Sequence, residues 1–292
     1  MRAKLFLCAS MLVVLASCEK SLSYDDLEES IDQKANVYLQ ASGIEQFESS
    51  NAPKTATGSP QSISELCNKV TFVVFNGSSK LKTVNQSKGD NSFGSVALTL
   101  DEGTYKVLIV AHNGDGNATV TSAEKNTFPS NRVTDTFYYY GDITVEKVKK
   151  TYNMQLQRAV SMFRLIISDN IPGNVKKMKF YYTGGSSTFS AATGYGSVNS
   201  RQTEVITVDG DEITFEVFTF PHAETGKLKM TVTALDASDN VIAEKVFEEV
   251  PVTRNQITCY TGCFFSNGGS TSDDTFYITA NGDWDAVNNY RF

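Results

Sequence analysis

Apolar and polar residues alternate along most of this chain with the period of two that marks β-strands, and nowhere with the period of a long amphipathic helix. A first strand is predicted over residues 35–40, with Ala35, Val37 and Leu39 facing one way. Residues 42–62, rich in Ser, Thr, Asn and Pro, read as a long loop. Residues 70–75 are apolar on both faces, as in a central strand, and end at the turn pair Asn76-Gly77. Residues 96–100, the turn Asp101-Glu102-Gly103 and residues 105–110 read as strand, tight turn, strand. Another strand follows over 137–145, around Tyr138, Tyr139 and Tyr140.

A second run of the same character starts at Tyr152 and carries through residues 155–167. Arg158 shares an alternation face with Leu156 and Val160, which predicts either a bulge or an inward arginine with a partner. After the turn at 169–174, Met178, Phe180 and Tyr182 alternate with Lys177, Lys179 and Tyr181. The Ser/Thr/Gly-rich stretch 183–200 reads as a surface loop. Strands follow over 204–208 and 213–220 about an Asp209-Gly210 turn. Leu228, Met230, Val232 and Ala234 then alternate with lysine and threonine, and further strands are predicted over 241–247, 257–265 and 276–280. Many short strands joined by Gly/Asn/Asp turns describe an all-β chain of two tandem antiparallel β-sandwiches. They would occupy residues 35–150 and 151–292, divided near Lys149/Lys150.

The start of the chain departs from this pattern. Arg2 and Lys4 precede an apolar run over 5–16, too short to cross a bilayer as a helix and shaped like a secretory signal peptide over 1–17. Leu15-Ala16-Ser17-Cys18 makes it a bacterial lipobox, with Cys18 the predicted site of lipidation. Each buried methylene contributes about 0.8 kcal/mol, so two or more acyl chains, palmitate among them, anchor a protein stably. Residues 18–34 then read as a solvated tether. Its acidic cluster Tyr24-Asp25-Asp26-Leu27-Glu28-Glu29 fits either that plain tether or a surface-export signal for an outer-membrane lipoprotein. Cleavage before Cys18 leaves 275 of the 292 residues and takes the formal charge from −7 to −9, which argues against nucleic acid and anionic lipid as partners. Cys67, Cys259 and Cys263 remain. On one strand the last two would stand about 13 Å apart, too far to bridge. Unless Gly262 folds the chain back, these are buried apolar residues or reduced thiols, and no disulfide framework is expected.

Candidate chemistry is sparse. His112 and His222 are the only histidines, and His112 follows an apolar strand where it would cap a loop. Asn113, Asp115, Asn117 and Glu124 fall at positions one, three, five and twelve of a calcium-loop template, but position one lacks its aspartate and position six is Ala118. An Asn-Gly-Asp-Gly turn explains them as well, so no metal and no cofactor is expected. No nucleophile elbow or phosphate-binding loop is present, and no catalytic residue or enzymatic activity is assigned. The Tyr138–Tyr140 run admits a rival reading as a carbohydrate platform, although Trp284 is the only indole and tyrosines are good strand formers.

Four stretches carry a resemblance. They are the lipobox; 98–107 (Leu-Thr-Leu-Asp-Glu-Gly-Thr-Tyr-Lys-Val); Leu156-Gln157-Arg158-Ala159-Val160 followed by an apolar strand and Asp169-Asn170-Ile171-Pro172; and 250–258 (Val-Pro-Val-Thr-Arg-Asn-Gln-Ile-Thr) with Thr261-Gly262 after it. In this order they resemble the fimbrillin superfamily of type V pili, and within it the FimB-like fimbrial anchor subunits. The resemblance implies tandem transthyretin-like β-sandwiches, subunits joined by β-strand addition, pilins as partners by strand exchange, and a role in cell adhesion with a host or bacterial surface ligand as a further partner. Polymerising members are cut after an N-terminal arginine. Here no arginine lies between Arg2 and Arg132, and only Lys34 and Lys54 offer a basic site beside the first strand. That favours an unprocessed anchor on the cell outer membrane over a polymerising or tip subunit or a glycan-binding lipoprotein.

Overall fold

A computed structural model describes residues 35–44, 62–210, 212–266, 284 and 286–292. The signal peptide, Cys18, the tether, Lys34, Lys54, most of the 42–62 loop and the strand expected over 276–280 lie outside the described residues. The first half carries β1 (Val37–Ile44), a one-turn helix α1 (Ile63–Leu66), β2 (Lys69–Asn76), β3 (Ser79–Ser87), β4 (Ser95–Leu98), β5 (Gly103–His112), β6 (Thr119–Ser122), β7 (Lys125–Thr127), β8 (Thr136–Val145) and β9 (Lys150–Arg158). The second carries β10 (Ser161–Ile167), β11 (Lys177–Gly185), β12 (Phe189–Ser190), β13 (Tyr195–Gly196), β14 (Ser200–Thr207), β15 (Thr214–Thr219), β16 (Thr225–Leu235), β17 (Val241–Thr253), β18 (Gln256–Gly262) and β19 (Ala286–Arg291). The chain is nearly all β, as its alternation predicts.

Seven strands form one hydrogen-bonded series, β3-β2-β5-β8-β9-β1-β4. It turns a corner between β8 and β9, where only Phe137↔Arg158 and Tyr138↔Gln157 pair. The two arms close over a core of Val37 and Leu39, Phe72 and Val74, Val107 and Ile109, and Met154 and Leu156. Two further sheets, β15-β10-β18-β19 and β14-β11-β16-β17, close over Phe163, Leu165, Phe180, Tyr182, Met230 and Val250. The predicted alternation holds here: Met178, Phe180 and Tyr182, like Leu228, Met230, Val232 and Ala234, are buried. A small sheet, β13-β12-β7-β6, draws strands from both halves through the pair Phe189↔Asn126.

Several local expectations fail, each for a physical reason. Residues 95–112 do not form a hairpin: β4 pairs with β1, while β5 pairs with β2 and β8. The turn at Asp101–Gly103 carries the chain from one arm to the other, with Gly103 at φ +156. The Asp209-Gly210 turn likewise joins two sheets, since β14 pairs with β11 and β15 with β10. Residues 183–200 are a surface loop only in their second half, from 192 on. Gly185 to Ala191 are all buried, with Phe189 packed on Phe220 at 5.1 Å. Polar backbone can be buried there because short hydroxyl side chains satisfy it: Ser186 Oγ donates to Thr188 O (2.7 Å) and accepts from the Val198 amide (3.2 Å). Six strands, β3, β6, β7, β12, β13 and β19, are not predicted by the alternation. β3 is an exposed edge carrying Lys80 and Lys82, the composition that protects an open edge, and β19 runs parallel to β18, held by Tyr290 stacked on Tyr260 at 4.9 Å.

The core position of β1 gives a direct test. Leu39 is 1% exposed, whereas Leu81 on the edge strand is 47% exposed. Leu39→Ala is expected to lower unfolding free energy in urea by about 2–5 kcal/mol, and Leu81→Ala by less than about 0.5 kcal/mol.

Candidate functional site

Among the described residues, the features that bear on function are how the first strand is held and how the two halves are joined. β1 lies between two partners. It pairs antiparallel with β4 from Val37↔Leu98 to Gln40↔Ser95, and parallel with β9 from Val37↔Lys150 to Ile44↔Leu156, with an irregularity between Ser42 and Ile44. Just before the strand, Asn36 acts as an extra peptide group. Its Nδ2 donates to Leu100 O (2.8 Å) and its Oδ1 accepts from the Leu100 amide (3.0 Å). The turn that delivers β4 is fastened by buried Gln86, whose Nε2 donates to Ser92 O (3.0 Å) and Ser95 O (2.7 Å) while its Oε1 accepts from the Gly94 amide (2.9 Å). β1 therefore fills a slot that would otherwise expose both strand edges and the core beneath Val37, Leu39 and Ala41.

The halves meet at Arg158, the last residue of β9. It is an inward arginine with partners, the second of the two alternatives its position allowed. Its Nε and Nη2 donate to the two carboxylate oxygens of Asp135 at 2.8 and 3.0 Å, and Nη1 donates to Asn255 Oδ1 at 3.0 Å. Phe137 lies 4.6 Å and Trp284 3.9 Å from the guanidinium carbon. The fork geometry matches a carboxylate, which offsets the desolvation of a side chain only 2% exposed. Asn255 sits in the turn between β17 and β18 at φ +58, a conformation asparagine tolerates, and its amide donates to Val160 O at 2.8 Å. Around this polar centre, Val73, Leu108 and Val110 of the first half pack with Phe189, Ala191 and Phe220 of the second. The motifs at 156–160 and 250–258, far apart in sequence, thus meet at one joint.

The other candidates fall as follows. The tyrosine run is not a platform. Tyr138 is buried edge-on against Phe189 at 4.7 Å and its hydroxyl accepts from Arg254 Nη1 (3.1 Å), Tyr139 packs against the opposite core, and Tyr140 is approached by Lys106 at 5.4 Å. Asn113, Asp115 and Asn117 lie in the loop after β5, whereas Glu124 sits in the turn between β6 and β7. Among the described residues no group of three or more His, Cys, Asp or Glu side chains is placed to hold a metal. Cys67 and Cys259 are buried and Cys263 is partly exposed, all as free thiols, and burial pushes the Cys67 thiol far above its usual range. His112 lies under the 113–116 loop, its ring edge-on to Phe128 at 5.1 Å. Burial and then nearby Lys69 push its pKa from 6.5 down to about 4, against a hydrogen bond with the Gly116 backbone.

Two measurements test these assignments. Arg158→Met leaves Asp135 without its guanidinium partner and is expected to cost about 3 kcal/mol or more. The emission of Trp284, the only tryptophan, should shift to the red. Adding Asp135→Asn should recover part of the loss in a double-mutant cycle. For His112 the unfolded chain holds the proton more tightly than the folded one, so its contribution is intact above pH 6.5 and is lost as pH falls towards 4. The decline of melting temperature across that window should be shallower in His112→Asn.

No curated protein is matched. Solved structures of similar shape include a candidate adhesin from Bacteroides ovatus (16% identity, 72% of this chain and 77% of that one, TM-score 0.46). A candidate cell adhesion protein from Bacteroides fragilis NCTC 9343 is another (10%, 84% and 99%, TM-score 0.47). So is the fimbrial anchor protein Mfa2 from Porphyromonas gingivalis (10%, 72% and 80%, TM-score 0.38). The match that decides identity is to a family model, described as Fimbrillin-A associated anchor proteins Mfa1 and Mfa2, which runs over residues 29–290 and so takes in both halves and the joint between them. This chain belongs to the family of fimbrillin-A associated anchor proteins.

Proposed function

We propose that this protein is a lipid-anchored subunit that holds a fimbrium at the cell outer membrane and receives a neighbouring pilin by β-strand addition. Membership of the anchor family accounts for the coarse part: a fimbrial cell-surface protein, non-enzymatic in its family role, that associates with other fimbrial subunits in adhesion. The finer part rests on one observation. β1 is fully seated between β4 and β9, at the end of the chain nearest Cys18. A subunit that keeps this strand keeps its own slot filled, and one cut after Ile44 would lose strand and lipid together. With no arginine between Arg2 and Arg132, an Arg-directed protease has no target there, and the molecule stays attached. Reception of a partner then falls to the edge strands of its sheets, where unpaired backbone groups accept an added strand. On this reading residues 1–17 are removed as a signal peptide, Cys18 carries the acyl chains, and two sandwich units follow the tether.

Mass spectrometry of protein recovered with fimbriae is expected to find an acylated N-terminus at Cys18. Recovery of a form beginning after Lys34 or Lys54 would instead make the protein a polymerising or tip subunit. Cys18→Ala should abolish palmitate labelling and release the protein from membranes or leave the uncleaved precursor. Equal labelling of mutant and wild type rules the anchor out.

A further inference from the structure

Away from β1, a cleft of about 490 Å³ opens where the 3₁₀ turn at Pro129–Asn131 meets β14. Its wall includes Ser130, Asn131 and Arg132 from the first half and Arg201, Thr203 and Glu204 from the second. Ser130 and Asn131 are consecutive non-glycine residues at φ +55, held there by bonds from the Asn131 amide to Phe128 O and from the Arg132 amide to Pro129 O. Such backbone is unfavourable unless its surroundings enforce it, and it is enriched at ligand sites. Both residues are exposed, and neither side chain is hydrogen-bonded among the described residues.

The charges in the cleft are uneven. Arg132 engages Glu204 through Nε at 3.2 Å, whereas Arg201 has no carboxylate partner among the described residues. Arg132 thus has its carboxylate, while the exposed Arg201 on the cleft wall has none, in a chain whose overall charge is −7. The lining is hydroxyl, amide, guanidinium and the arginine-paired Glu204 carboxylate, with no aromatic ring. That is a poor wall for an apolar ligand and offers no face on which a neutral sugar ring would stack. A carboxylate suits the planar fork of an arginine, and the volume suits one or two sugar rings.

We infer that this cleft binds a carboxylate-bearing sugar, with Arg201 gripping the carboxylate and Ser130, Asn131 and Thr203 meeting ring hydroxyls. A uronic acid and a sialic acid share that chemistry, and separate titrations distinguish them. The full mature protein is titrated with galacturonic acid, N-acetylneuraminic acid, galactose and acetate, followed by NMR shifts of the cleft amides. One of the acidic sugars should give saturable shifts at Ser130–Arg132 and Arg201–Glu204, with galactose giving none. Arg201→Gln should weaken that binding about tenfold or more with an unchanged melting temperature, while Lys82→Gln, on the remote β3 edge, should leave it unchanged. Absence of shifts with both acidic sugars, acetate binding as tightly as the sugar, or wild-type affinity in Arg201→Gln each overturns the proposal. None of these outcomes touches the seating of β1 or the anchoring at Cys18.

Discussion

A buried guanidinium sets the terms for the rest of this molecule. Removing Arg158 from water is unfavourable by several kcal/mol unless the charge is paired and its hydrogens are used. Both conditions are met only when Asp135 from the loop just before β8 and Asn255 from the turn before β18 arrive together. The connection from β9 to β10 is just Ala159 and Val160, both fully buried. The chain crosses from one set of sheets to the other at the point where Arg158 and the Val160 carbonyl are fixed. The apolar cluster of Phe189, Phe220, Leu108 and Val110 excludes water around that point and keeps the ion pair strong. The guanidinium is held on its own side by two bonds to Asp135 and reaches across to the second core through the one to Asn255.

The seating of β1 obeys a similar logic in backbone terms. An N-terminal strand with one partner frays easily, but this one is paired on both edges and buries alternate side chains in the core. Asn36 prolongs its ladder with a side chain and Gln86 secures the strand that covers it. The open β3 edge carries another protection, its lysines Lys80 and Lys82.

Much of the fold was legible in the chain, because one-sided burial imposes period two. Met178 to Tyr182 and Leu228 to Ala234 point as their alternation says, and the apolar stretch Val70–Phe75 is buried on both faces. Arg158 could be read as inward because it breaks an apolar face, although its partners, 23 and 97 residues away, leave no local trace. Strand partners were not legible: a turn at Asp101–Gly103 looks the same whether it closes a hairpin or crosses between sheets. The polar strands β3 and β19 bury too little to show a period, and the buried stretch around Phe189 is masked by the hydroxyl residues that make its burial tolerable. The joint and the polar cleft both depend on long-range pairing, and each was visible only as an isolated residue or motif.

The shared sheet of β6, β7, β12 and β13 has a consequence in time. Asn126 waits for Phe189, donating its Nδ2 to that residue's carbonyl at 2.9 Å, and Arg158 waits for Asn255. A chain synthesised from its N-terminus thus acquires most of its first core long before the residues that seal its lower face exist. Pairings this distant in sequence are slow to form, and until they do, Val73, Leu108 and Val110 remain open to water and to other chains. The molecule cannot mature half by half: the first half stays unfinished until the turn at Asn255 has been made.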